Sequence, residues 1–209
     1  VFAPVDLAEL KTAVNSCVRS GDGSACATSS YGAIGEWDVS RVTSLFQLFY
    51  GATGTRDFKN FNGDLSKWDT SRVTTMESTF DGGVYTWGTG NKFNSDISKW
   101  NLSKVTNLQN TFSFCTKFNR DLSKFDTSKV TTMKGIFGWA YKFNGDISTW
   151  DTSQVTSLEN AFGSAYVFNI DLSKWEVSKV TTLADTFYKA HAFNSVLSTW
   201  DVSKVTTLE

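Results

Sequence analysis

Large apolar residues return along this chain at fixed spacing. One aromatic column runs Trp37, Trp68, Trp100, Phe125, Trp150, Trp175 and Trp200. Valine recurs at 42, 73, 105, 130, 155, 180 and 205, and phenylalanine at 49, 80, 112, 137, 162 and 187. A second phenylalanine recurs at 61, 93, 118, 143, 168 and 193. From Trp100 onward the step is 25 residues; the first two steps are 31 and 32, so two early units carry insertions of 6 and 7 residues. A period in this range is the signature of a solenoid, whose units bury their apolar faces only against their neighbours. An aromatic side chain buries about 150–250 Å², so these columns are the expected core.

Within the unit FNGDLSKWDTSRVTTMESTF (residues 61–80), Asp64-Leu65-Ser66 alternates as a brief strand does. Asp69-Thr70-Ser71 reads as a turn and cap, and Val73, Met76 and Phe80 fall at i, i+3 and i+7, one face of a helix. The pattern therefore predicts an α/β, leucine-rich-repeat-like solenoid of about seven coils over residues 36–209, each a short strand plus a short helix. Residues 1–35 read as an N-terminal capping helix and cysteine loop. Asp6 with Glu9 resembles a capping box, and Leu7, Leu10, Val14, Cys17 and Val18 share a helical face. The column Asn62, Asn94, Asn119, Asn144, Asn169 and Asn194 is expected to point inward and satisfy backbone groups. The threonines from Thr43 to Thr206 are expected to bond back within a first helical turn.

The repeat pattern FN-x-D-[LI]-S-x-W-D-x-S-x-V-T-x-[ML]-x-x-x-F resembles the BspA-like leucine-rich-repeat surface proteins, a family that includes mycoplasma lipoprotein repeats and many algal and protist members. The likeness covers about residues 36–209, and the helix, cysteine loop and GEWDVS before it are similar to the algal members. Phe125 in place of tryptophan and Val196 in place of the aspartate depart from the pattern. The resemblance implies a solenoid at the cell surface or outside the cell, with adhesion or binding as its role and no catalytic residue.

Charge and cysteines narrow this further. A formal net charge of −1 with no basic run excludes an electrostatic footprint for nucleic acid. No apolar run is long enough to span a bilayer. Cys17 and Cys26 flank a Gly- and Ser-rich turn and read as a disulfide, which implies an oxidising compartment; the alternative is two free thiols. Cys115 falls in a column of alanines and reads as core.

The candidate chemistry is sparse. One histidine and no Cys/His cluster argue against zinc, and no phosphate-binding loop or nucleophile motif is present. Asp64, Asp96, Asp121, Asp146 and Asp171 form one acidic column; Asp38, Asp69, Asn101, Asp126, Asp151, Glu176 and Asp201 form another. Both are explained by the coil itself, with lysines three residues on as compensation and calcium as the sharper alternative. No other cofactor is expected. The candidate binding residues lie off the core columns: Phe114, Trp139, Tyr141, Tyr166 and His191, with Tyr85 and Trp87 in the second insertion. Held in register they would make a flat stripe for sugar rings or a partner protein; the alternative is that they pack on each other. Asn101-Leu102-Ser103 is a glycosylation acceptor motif. The sequence stops inside a unit at Leu208-Glu209, so the chain is expected to continue or to assemble through that open end.

Overall fold

The computed structural model describes residues 1–19, 29–51, 58–83 and 90–208, with the backbone alone for 18 and 19. The chain begins with one α-helix, α1 (Leu7–Arg19). Asp6 caps it by accepting the Glu9 N–H at 2.9 Å, and Glu9 reaches back to the Val5 N–H at 2.8 Å. Its buried face, Leu10, Ala13, Val14 and Cys17, joins the core. Phe2 packs edge-on against Tyr31 and Trp37.

Beyond α1 the strand-plus-helix coil is not what forms. Among the described residues the only other helical pieces are the single 3-10 turns Ile34–Glu36 and Phe58–Asn60. In place of strands there are isolated parallel bridges, running Ser44–Thr75–Asn107–Thr132–Ser157–Thr182–Thr207. They fall in the segment expected to be helical. An α-helix returns each N–H to the carbonyl four residues back. Here every second N–H goes to the next coil: Leu108, Asn110, Phe112 and Phe114 donate to Thr132, Lys134, Ile136 and Gly138. The N–H groups between them, of Thr111, Ser113 and Cys115, return three residues within the coil.

That alternation requires left-handed backbone. Gln47, Ser78, Asn110, Gly135, Asn160 and Asp185 all take it, with φ from 52° to 60°. Glycine, asparagine and aspartate tolerate this region best, and they hold four of the six positions. The expected strand at Asp64-Leu65-Ser66 is instead a turn, closed by the Trp68 N–H on the Leu65 carbonyl at 3.1 Å.

The coils lie one on the next, and their rings stack in columns. The first phenylalanine column repeats at 5.3–5.9 Å between centroids and the second at 5.8–6.3 Å. Trp68 stacks on Trp100 at 6.1 Å and Trp150 on Trp175 at 6.3 Å. From Trp68 onward the tryptophans of this column also hydrogen-bond across coils: the indole N–H of Trp100 reaches the Leu65 carbonyl at 2.9 Å, and that of Trp150 the Leu122 carbonyl at 2.9 Å. Phe125 stacks on Trp150 but has no N–H to give the Ile97 carbonyl, which receives the Trp100 backbone N–H.

The polar columns close on themselves. Asn62 accepts the backbone N–H of Asn94 at 2.7 Å, Asn94 that of Asn119, and so on to Asn194. The asparagines do satisfy backbone, but from the exposed side of the coil and not from within. Thr74, Thr106, Thr131, Thr156, Thr181 and Thr206 donate their hydroxyls to the carbonyl of the same threonine one coil earlier. No helical turn is present for them to bond back into.

Replacing Phe125 by tryptophan supplies the missing donor to Ile97. The expected gain in unfolding free energy is about 1 kcal/mol by urea titration, and Trp150→Phe is expected to lose a similar amount.

Candidate functional site

The acidic columns are the first place to look for chemistry. Asp64, Asp96, Asp121, Asp146 and Asp171 each accept the backbone N–H of the serine two residues on, at 2.8–2.9 Å. The second column does the same from Asp38 to Asp201 wherever aspartate or asparagine stands in it. These are Asx turns, which build the corners of the coil. Hydrogen bonds from Ser66, Ser98, Ser123 and Ser173 hold Asp64, Asp96, Asp121 and Asp171 below the ordinary carboxylate value, with Lys67, Lys99, Lys124 and Lys174 adding a smaller pull. No group of three or more His, Cys, Asp or Glu able to hold a metal occurs among the described residues. Asn101 shares this geometry: it is exposed, and its side-chain carbonyl accepts the Ser103 N–H at 2.9 Å.

Cys115 is fully buried, its thiol donating to the Phe80 carbonyl at 3.1 Å, and desolvation pushes its pKa well up. Cys17 is buried on α1; Cys26, its expected partner, lies outside the described residues.

The aromatic candidates assemble into two adjoining stacks. Phe114 stacks on Trp139 at 4.9 Å and 7°, and Tyr141 on Tyr166 at 4.8 Å and 5°, with His191 following at 5.4 Å. Within a coil the two rows are tied by a tight turn, the Tyr141 N–H donating to the Trp139 carbonyl at 3.0 Å. Tyr85 and Trp87 lie outside the described residues. Phe114 and Trp139 both hold φ of 56°, a region bulky side chains avoid at a cost of about 1–2 kcal/mol. The intercoil bonds Phe114 N–H to Gly138 and Trp139 N–H to Gly163 hold them there.

The stacking decides what the stripe presents. Tyr166 is covered on one face by Tyr141 and on the other by His191, yet stays 39% exposed, so its edge meets solvent. The rings thus pack on each other, and Tyr166 keeps no open face. Burial, then the neighbouring Tyr166, raises the Tyr141 phenol above its ordinary value, so it is a protonated donor. The sequence expectation leaves out Lys92, Lys117 and Lys142, which hold one exposed position in three successive coils, the last of them next to Tyr141. Their signal is a lysine before the second phenylalanine. It also leaves out Tyr188, half exposed with Lys189 4.9 Å over its ring.

Away from the stripe, a cavity of about 520 Å³ is lined by Leu183, Phe187, Leu197, Trp200, Val202 and Leu208. No helix among the described residues is long and apolar enough to cross a membrane.

Asp81 is the buried carboxylate. Burial pushes it up to about 6, against the lowering bonds from Gly83 and Ser78. Between its ordinary 3.8 and about 6 the folded chain holds a proton the unfolded chain has lost, so stability falls as pH rises through that window. The exposed Asx carboxylates act oppositely, stabilising above their ordinary value and failing as pH drops through their lowered folded values. Asp81→Asn is therefore expected to raise the urea midpoint at about pH 8 and to leave it nearly unchanged at about pH 4.

The family model described as "Mycoplasma protein of unknown function, DUF285" matches residues 23–137, 87–162 and 108–209, three overlapping segments that span the coils. No curated protein and no solved structure matches the chain. The chain belongs to the DUF285 family of mycoplasma-type proteins of unknown function.

Proposed function

We propose that this protein is a non-enzymatic recognition or adhesion module that works at the cell surface or outside the cell, and that it binds through the stripe formed by Trp139, Tyr141, Tyr166 and His191. One observation carries the reading: Trp139, half-buried at the surface, is kept in left-handed backbone at φ of 56°, with the buried Phe114 stacked beneath it at the same φ. Strain of that kind persists where function uses the side chain. The acidic columns, the obvious alternative seat of chemistry, are occupied as turn acceptors. The extracellular part of the reading rests on the BspA-like resemblance and carries with it a Cys17–Cys26 disulfide and glycan addition at Asn101.

A second reading, a structural subunit of a larger assembly, is favoured by the dependence of each coil on its neighbour for backbone partners, as where the Leu108 N–H donates to the Thr132 carbonyl. Filaments or ordered arrays in electron micrographs of native material would support it over a free binding module.

Trp139→Gly relieves backbone strain and removes a ring stack, two opposed terms of about 1 kcal/mol each, so stability is expected to change little. Combined with Tyr166→Ser it is expected to weaken binding to isolated cell walls of the producing organism about tenfold or more. Equal binding by parent and variant would overturn the assignment of the stripe. Alkylation of the native chain without reductant is expected to label Cys115 alone after denaturation; labelling of Cys17 and Cys26 would remove the oxidising-compartment argument.

A further inference from the structure

Resting on the recognition reading above, the structure also assigns the chemistry of the ligand: we infer that the stripe takes an extended, carboxylate-bearing polysaccharide laid along the stack of coils. Three observations converge. First, stacking turns an edge outward where both faces are covered, as at Tyr166. A ring's quadrupole is negative over the face and positive at the edge, so a column of edges favours anionic oxygens over the C–H face of a neutral sugar. Tyr166, with a neighbour on each face, has an edge to give and no open face.

Second, donors and cations line the strip up to Lys142, beyond which Val167 and Ala192 continue the lysine column without charge. Lys92, Lys117 and Lys142 are exposed, and none of them is in an ion pair among the described residues. The tyrosine hydroxyls and the Trp139 indole N–H add donors without charge. None of residues 114–117, 139–142, 164–167 and 189–192 is acidic, in a chain whose acids slightly outnumber its bases. Acids are thus kept off one strip that runs across four coils.

Third, the pitch selects the polymer. Stripe rings repeat every 4.8–5.4 Å, one coil at a time. An extended peptide advances about 3.4 Å per residue, so its same-side carboxylates recur at about 6.8 Å and fall out of step within a few coils. A pyranose ring in an extended chain is close to one coil in length, so in a twofold chain the same-side uronate carboxylates meet the same position of every second coil and stay in step. Arginine forks are absent from the strip, and lysine with hydroxyl donors suits carboxylates spaced singly along a chain.

The test is surface-immobilised full chain against polygalacturonate, the same polymer fully methyl-esterified, and poly-L-glutamate. Polygalacturonate is expected to bind, about tenfold more weakly at about 0.5 M than at about 0.05 M salt, as exposed charge pairs are screened. The esterified polymer, which keeps the backbone and loses the charge, is expected not to bind. Lys117→Glu with Lys142→Glu changes exposed side chains only and is expected to cost about tenfold or more in polygalacturonate affinity, with an unchanged far-UV spectrum. Equal binding of the esterified polymer, equal binding of poly-L-glutamate, or no binding of polygalacturonate would each overturn the inference. If cell-wall binding still depends on Trp139 and Tyr166 in that case, the recognition reading stands and only the ligand class falls.

Discussion

Everything in this chain follows from where alternate backbone N–H groups go. In the segment 108–114 one N–H stays in the coil and the next leaves it for the neighbouring coil, at 2.8–3.2 Å. A buried peptide group without a partner costs a few kcal/mol, so the neighbour is not optional. That exchange fixes the distance between coils, and the distance then governs the side chains. Rings one coil apart come to stacking distance, indoles reach the carbonyl of the coil before, and short polar side chains find the backbone next door. The aromatic core is thus set by the backbone ladder, and the ladder is kept dry by the core.

The same constraint explains which parts were legible from the residues. Period, core columns and coil boundaries follow from spacing, because a residue one period away occupies the same place. Trp68, Phe80, Phe93 and Val73 are all at most 3% exposed, as their columns imply. The conformation between those residues was not legible in the same way. Val73, Met76 and Phe80 suit a helix face, but the zigzag coil also brings Thr79 into the core, fully buried with its hydroxyl on the Leu45 and Met76 carbonyls. The discriminating signal sits outside the apolar columns: asparagine, glycine, asparagine and aspartate at 110, 135, 160 and 185 favour left-handed backbone, which no helix interior accepts. Apolar periodicity ignores those positions.

For the site, the composition of the aromatic columns was readable and the orientation of their rings was not. A column tells that Tyr141 and Tyr166 are neighbours; only the coil spacing says whether they lie flat on a surface or face to face. At 4.8 Å and 5° they face each other, and the surface receives edges. Lys117 and Lys142 were hidden by a different bias, since a lysine on a polar face is the expected solvated residue until its neighbours are known. It is the acid-free strip around them that gives them weight.

A repeat protein built this way has few places in which to keep a function. Any column present in every coil is bound to its neighbours: asparagine to the next N–H, threonine to the previous carbonyl, aspartate to the serine that closes its own turn. Their hydrogen-bonding capacity toward a ligand is correspondingly reduced, and changing them disturbs the stack. Function is freest where columns vary. Position 114 and its equivalents carry phenylalanine, tryptophan, serine and lysine in turn, all in left-handed backbone. The backbone there is imposed by the ladder whatever the residue, so the strain of an aromatic at Phe114 and Trp139 reflects the identity of the side chain and not the demands of the fold. Serine at 164 shows that the coil closes without a ring. The half-buried Trp139 ring is therefore an addition to the scaffold, and an addition that carries a standing cost at the surface is where binding is best sought.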